Sequence, residues 1–211
     1  MRLTKHEHAC LVLEKSDDIL VIDPGIFTMP LDDLHGVVAI VITHEHADHW
    51  TSEQLDRILD LNPDATIFAP RSVQRQATGH TVTAVADGDT HEVGAFTLTF
   101  SGTTHAIIHS SIPVVENVGV MVDDVLFYPG DAYTIPAVPV DTLATPAGAP
   151  WLKIGEAMDY VLAVAPKRAF PTHEMTLSVA GKALANARLE TVTKQGGGEY
   201  FVLEPGDSLD L

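Results

Sequence analysis

Six consecutive apolar residues, Val37 to Ile42 (VVAIVI), run directly into Thr43-His44-Glu45-His46-Ala47-Asp48-His49. A run that short, uniformly apolar and rich in β-branched side chains reads as a strand buried on both faces. The histidine-rich stretch is then a loop leaving its C-terminal end. Residues two apart in an extended segment point to the same side, so His44, His46 and Asp48 can converge, with His49 close behind. Imidazole and carboxylate form the ligand set expected for Zn(II), and also for Fe or Mn. The chain holds 11 His in 211 residues, and at that composition a HxHxDH window is expected by chance about 0.003 times. Coincidence therefore explains the cluster poorly.

The rest of the chain supplies strands and helices in two rounds. His8–Leu13 and Ile19–Ile22 read as a hairpin around Lys15-Ser16-Asp17-Asp18, stopped by Asp23-Pro24-Gly25. A helix is expected from Thr51 to Leu61, with Ser52 as its N-cap and Asn62-Pro63 as its stop. Strand 65–69, a short helix from Arg71 and strand 81–85 follow. Next come an alternating strand at 96–100 (FTLTF), a hairpin of 118–122 with 125–128, and a strand at 140–143. Helices are expected at 154–164 and 178–193, the latter capped by Thr176 or Ser178, with strands at 168–171 and 200–203. Strand-rich halves that each close in helices fit sheets packed face to face with helices outside. No repeat, low-complexity stretch or linker divides the chain, so residues 1–211 are expected to form one domain.

Composition narrows the partners. Lys and Arg number 12 against 29 Asp and Glu, a net charge of −17. That field repels polyphosphates and anionic lipid surfaces, so neither nucleic acid nor a membrane is the expected partner, and a small-molecule substrate is. One cysteine, Cys10, cannot make an internal disulfide and suits a reducing compartment. The first residues carry no secretory pattern, and no apolar run approaches the roughly 18 residues of a membrane span, so a soluble cytoplasmic protein is expected.

The strand followed by HxHxDH resembles the metallo-β-lactamase superfamily, and the resemblance covers nearly the whole chain. It implies an α/β fold, a four-layer αββα sandwich, with a one- or two-metal site at the sheet edge. Asp23-Pro24-Gly25 is similar to the early Asp motif that supports the metal loop in that family. Pro129-Gly130-Asp131 places Asp131 at the carboxylate expected between two metals, and Pro171-Thr172-His173 places His173 at the last histidine. The third-histidine slot is open between His105 and His109 in GTTHAIIHSSIP, with His105 preferred because it directly follows a strand. The resemblance implies one metal on His44, His46 and His105, and a second on Asp48, His49 and His173, with Asp131 and a hydroxide between them. Cys10 lies too early to match the cysteine ligand of true β-lactamases.

The expected function is a hydrolase with two divalent metal ions, most simply Zn2+, in which Asp48 and Asp131 serve a bridging hydroxide that attacks a small ester, lactone or phosphodiester. The alternatives are an iron-binding oxidoreductase-type module and a ribonuclease Z-like nuclease, the latter disfavoured by the acidic charge. His109, Tyr133 and Trp151 are candidate pocket residues, with packing on the core as the competing role for Trp151. His6 and His8 open a strand that could bring them near the site, but a surface or sheet-edge position is the expectation, and His35, His80 and His91 are expected in solvent. Glu45 should point away from the ligands, and Trp50 should be a packing residue.

Overall fold

The computed structural model describes all residues from Met1 to Leu211. Its strands are β1 (Arg2–Lys5), β2 (Leu11–Lys15), β3 (Asp18–Ile22), β4 (Val37–Val41), β5 (Thr66–Ala69), β6 (Val82–Ala84), β7 (Thr90–Val93), β8 (Phe96–Ser101), β9 (Gly119–Val122), β10 (Leu126–Tyr128), β11 (Thr142–Pro146), β12 (Arg168–Thr172), β13 (Glu199–Tyr200) and β14 (Ser208–Asp210). The helices are α1 (Ser52–Leu61), α2 (Arg71–Gln76), α3 (Ile154–Val164) and α4 (Val179–Gln195). One seven-stranded sheet runs β14-β1-β2-β3-β4-β5-β6 and the other β13-β12-β11-β10-β9-β8-β7. Both mix parallel and antiparallel pairs.

Three apolar layers hold the four structural layers together. Leu13, Leu20 and Val41 of the first sheet meet Phe100, Val120 and Tyr128 of the second, all wholly or almost wholly buried. The outer face of the first sheet (Val21, Ile40, Ile67) is covered by Leu55 and Ile58 of α1 and Val73 of α2. The outer face of the second (Phe127, Leu143, Ala169) is covered by Val161 of α3 and Leu189 of α4. This is why VVAIVI lacks alternation: β4 lies centrally in a sheet with apolar neighbours on both faces.

Expectation and structure differ where strands are short or polar. β1, β7 and β14 carry RLTK, THEV and SLD, with no apolar run, and owe their conformation to pairing with β2, β8 and β1. The strand expected at 140–143 lies instead at Thr142–Pro146, because parallel pairing with β12 extends through Pro146–Thr172. The one expected at 200–203 shrinks to Glu199–Tyr200, and the one expected to begin at His8 begins at Leu11. The side chain that caps α1 is Thr51, not Ser52, and Ser178 rather than Thr176 caps α4. At the other end of α1, Asn62 donates to the carbonyls of Leu34 and Ile58 and accepts from the N–H groups of Gly36 and Val37. One side chain thereby closes the helix and fixes where β4 begins.

Just before β11, Asp141 accepts from Arg168 Nε at 3.0 Å and Lys167 Nζ at 3.0 Å. Hydrogen bonds from Arg168, then Lys167, hold its carboxyl at about 2, below the usual carboxylate range. A carboxyl with a depressed folded pKa stabilises the fold above its unfolded value near 4, and that stability is lost as pH falls through about 2. Asp141→Asn is therefore expected to melt about 2–4 °C lower at pH 7, corresponding to about 1 kcal/mol for a networked surface pair. Melting curves taken from pH 7 down to pH 2.5 should show the gap from the parent narrowing below pH 4. A gap independent of pH would contradict this account.

Candidate metal centre

β3 and β4 run parallel in the first sheet, and in the second β8 runs in the same sense as β10, β11 and β12. Five C-terminal strand ends thus supply the site. Asp23 follows β3, the His44–His49 loop follows β4, His105 follows β8, Asp131 follows β10 and His173 follows β12. The sheets are joined at this end by a bridge between His44 and Asn117 and by the Val118 N–H donating to the Thr43 carbonyl at 3.0 Å.

Here residues from five segments meet. The potential ligand atoms of His44, His46 and His105 lie within 4.8 Å of one another, as do those of His8, Asp48, His49 and His173, and those of His44, His49 and Asp131. Asp131 sits in the middle. Its Oδ2 is 3.1 Å from His173 Nε2 and 3.3 Å from His105 Nε2, and its Oδ1 is 3.3 Å from His49 Nε2. Asp48 Oδ2 is 3.3 Å from His173 Nε2.

The rear nitrogens explain how the rings are aimed. His49 Nδ1 donates to Asp23 Oδ2 at 2.7 Å, His105 Nδ1 to the Ala106 carbonyl at 2.5 Å and His173 Nδ1 to the Gly148 carbonyl at 2.7 Å. Thr43 Oγ1 gives its proton to Asp23 Oδ2 and so accepts from His44 Nδ1 at 3.1 Å. With each Nδ1 carrying the proton, each Nε2 presents a lone pair to the centre, the arrangement that metal-ligating histidines adopt. His49 Nε2, His105 Nε2, His173 Nε2 and Asp131 Oδ1 are buried without a hydrogen-bond partner. Buried polar atoms seldom stay unpaired, and four facing one another in one place fit cations between them.

The electrostatics favour positive charge there. Burial opposes charge on His173, but Asp131 and then Asp48 push it up to about 9. Burial likewise opposes charge on His49, and Asp131 and Asp23 hold it well above its ordinary value. Burial would raise the Asp131 carboxyl, yet His173 and His49 keep it well below the carboxylate range. His44 is driven well below its ordinary value by burial and then by His49. The carboxylates thus draw positive charge to this place, whether protons or cations carry it.

Strain gathers at the same place. Asp23, His173 and His8 all have positive φ (48°, 61° and 62°), a conformation that costs a non-glycine residue of order 1 kcal/mol or more and recurs at functional sites. The other four such residues lie in hairpin turns (Ser16, Asp123, Asp124) or end a helix (Ala165).

Residues 2–173 match the family described as beta-lactamase superfamily domain. The chain belongs to the metallo-β-lactamase superfamily. Protein Rv0786c of Mycobacterium tuberculosis is 40% identical over 198 residues, which cover 92% of this chain and 93% of the relative. Igni18, a metallo hydrolase from Ignicoccus hospitalis, superposes with a TM-score of 0.71 at 17% identity, over 99% of this chain and 97% of that one. CmlA, a diiron β-hydroxylase from Streptomyces venezuelae, gives 0.75 at 16% identity, over 100% of this chain and 54% of CmlA. This chain therefore spans about half of CmlA. Identities this low show the superfamily fold and nothing finer.

Within this metallo-β-lactamase fold, the other side chains that the sequence singles out divide between the site and its surroundings. His109 is exposed and bonds to Ser111, away from the cluster. Trp151 is buried, and its Nε1 donates to Asp131 Oδ2 at 2.8 Å. Tyr133 meets Trp151 edge to face, with ring centroids 5.3 Å apart. Both line a cavity of about 520 Å³ with Ile107, Ile108, Lys153 and Glu156. Trp50 packs between the first sheet and α1, and Glu45 joins none of the ligand groups. His80 pairs with Asp56 and His91 packs on Phe68, so neither is freely solvated.

The largest departure is His8, expected at the surface yet wholly buried against Asp48 and His173. Asn117 also has a role that sequence reading did not assign. Its Oδ1 accepts from the Asp131 N–H at 3.0 Å and its Nδ2 donates to the Pro129 carbonyl at 2.9 Å, clamping the Asp131 turn. Neither residue stands in a recognisable spacing; the apolar strand starting three residues after His8 was the nearest signal.

Proposed function

We propose that this protein is a metal-dependent hydrolase with a dinuclear centre, most simply zinc, acting on a small ester, lactone or phosphodiester. His44, His46 and His105 would hold one ion, and Asp48, His49 and His173 the other, with Asp131 between them. The observation that carries this reading is the convergence of unpartnered, buried Nε2 atoms of His49, His105 and His173 on Asp131. Two divalent ions bound there supply a water of near-neutral pKa and polarise the bond to be cleaved.

The chain's own contribution is position and charge. The Trp151 N–H and the Asn117 clamp fix Asp131 with one carboxylate oxygen turned to His49. Asp48 is the site carboxylate open to solvent, with 27% of its side chain accessible against 4% for Asp131. Burial would raise the Asp48 carboxyl, yet hydrogen bonds from His173 and His8 hold it well below the carboxylate range, so it stays ionised, as a residue that holds the second ion must. The cavity walled by Ile107, Ile108, Tyr133 and Trp151 connects to the site through Trp151, whose ring lies 5.9 Å from that of His105 and whose N–H bonds Asp131, and it has the volume of a small-molecule site. The net charge of −17 supports a small substrate over nucleic acid.

The single cysteine, Cys10, is buried and its thiol is pushed up by that burial, so it serves as a packing residue and not as a ligand or nucleophile. No helix is long and apolar enough to cross a membrane.

Metal analysis after reconstitution, followed by a screen with bis-p-nitrophenyl phosphate, p-nitrophenyl acetate and a γ-lactone, tests the proposal. Two ions per chain and chelator-sensitive hydrolysis of one substrate are expected. Fewer than one ion under replete conditions, or hydrolysis indifferent to chelator, would overturn it. Two irons with no hydrolysis would favour the oxidoreductase reading.

A further inference from the structure

The histidines at this site do not all present the same nitrogen. His44, His49, His105 and His173 carry their proton on Nδ1 and turn Nε2 inward. His8 is reversed. The backbone N–H of Met175 donates to His8 Nδ1 at 3.3 Å, so Nδ1 holds the lone pair and the proton of the neutral ring sits on Nε2. That Nε2 lies 3.2 Å from Asp48 Oδ2. A nitrogen carrying a proton cannot coordinate a cation, but it can orient a carboxylate that does.

We propose that His8 is a positioning residue for Asp48, donating an Nε2–H hydrogen bond that sets the carboxylate towards His49 and His173 without itself holding metal. This rests on the reading of Asp48 as a residue that holds the second ion.

The surroundings are built to keep the ring in place. His8 is wholly buried, its carbonyl accepts the His173 N–H at 2.8 Å, and its ring lies 3.9 Å from that of His173 and 4.8 Å from that of Phe27. The segment carrying it is anchored by Lys5, whose Nζ meets Glu174 Oε1 at 2.6 Å with both side chains buried. The N-terminal strand and the His173 loop are thus tied together on either side of His8. Asp48 needs such a restraint, since its side chain is partly open to water and without a donor would be free to turn outward.

Two substitutions separate positioning from filling and from ligation. His8→Gln places an amide N–H near the former Nε2, and His8→Phe fills the volume without a donor. Each protein is loaded with Co(II), the ions per chain are counted, the visible absorption is recorded and the second ion is titrated. His8→Phe is expected to bind the second ion 10–100-fold more weakly, with its absorption band altered and the first ion retained. His8→Gln should recover most of that loss. Unchanged binding and spectrum in His8→Phe would overturn the proposal, as would an equal loss in both variants, which would make His8 a ligand.

The 15N imidazole shifts of the metal-free, unmutated chain provide an independent test. They should show His8 protonated at Nε2, and an Nδ1-protonated ring would overturn the proposal even if the variants failed to fold. A native chain that takes up no second ion would instead sink the functional reading.

Discussion

Replacing Asp131 with alanine is expected to lower kcat/KM for whichever substrate the screen yields by more than 100-fold, and to leave fewer than two ions per chain. The floor comes from residues that only support metal ligands, whose loss typically costs 10–100-fold; a carboxylate lying between both proposed positions should cost more. Asp131 is 3.1–3.3 Å from three separate imidazoles, so its removal withdraws the charge that His49, His105 and His173 share. Asp131→Asn discriminates further. It preserves the shape and an acceptor for Trp151 Nε1 but removes the charge, so it should lose metal and activity nearly as fully as alanine. Asp33→Ala, exposed in the loop before β4, is the control expected to match the parent. An Asp131→Ala protein with two ions and undiminished kcat/KM would remove the proposed engine.

What could be read from the residues follows a physical pattern. β4 was legible because its own side chains demand burial on both faces, and the HxHxDH loop because four potential ligands crowd into six residues. β1, β7 and β14 were not, since RLTK, THEV and SLD become strands only through pairing with segments far along the chain. The displacement of β11 has the same origin, because nothing in Ala144-Thr145-Pro146 signals the parallel partner that extends it.

At the site, the residues that face inward stand in compact motifs, whereas those that hold them stand alone. Asp131 and His173 each follow a proline at a strand end, a pattern visible in the sequence. His8 and Asn117 act on Asp48 and Asp131 from sequence distances of 40 and 14 residues, which no local spacing encodes. The open choice between His105 and His109 turns on loop direction. The backbone N–H of His105 donates to Val115 and that of Ala106 to Asp131, drawing His105 inward, while His109 lies farther along and bonds to Ser111.

Asp23→Ala should produce the largest loss of stability, about 3–5 kcal/mol, the usual cost of removing one member of a fully buried charged network. At 2–4 °C per kcal/mol for a chain of this size, that is a fall in Tm of about 6–20 °C. Asp23 is wholly buried and accepts three hydrogen bonds, from the Thr43 N–H at 2.8 Å, from Thr43 Oγ1 at 2.7 Å and from His49 Nδ1 at 2.7 Å. Its positive φ of 48° adds to the penalty, because alanine has no polar side chain to support that conformation. Asp23→Asn tolerates the backbone better and keeps one acceptor, so an intermediate Tm is expected.

The next turn shows why the loss should spread to the metal loop. A Cβ on Gly25 would fall 1.9 Å from the Asp48 carbonyl oxygen, so the Asp23-Pro24-Gly25 turn and the metal loop lie backbone against backbone. Freed of Asp23, His49 loses the acceptor that keeps its proton on Nδ1, and metal affinity should fall 10–100-fold alongside Tm. Calorimetry of the metal-free and metal-loaded variants separates the two effects. A Tm loss that is the same with and without metal would show that Asp23 supports the fold alone and does not aim His49.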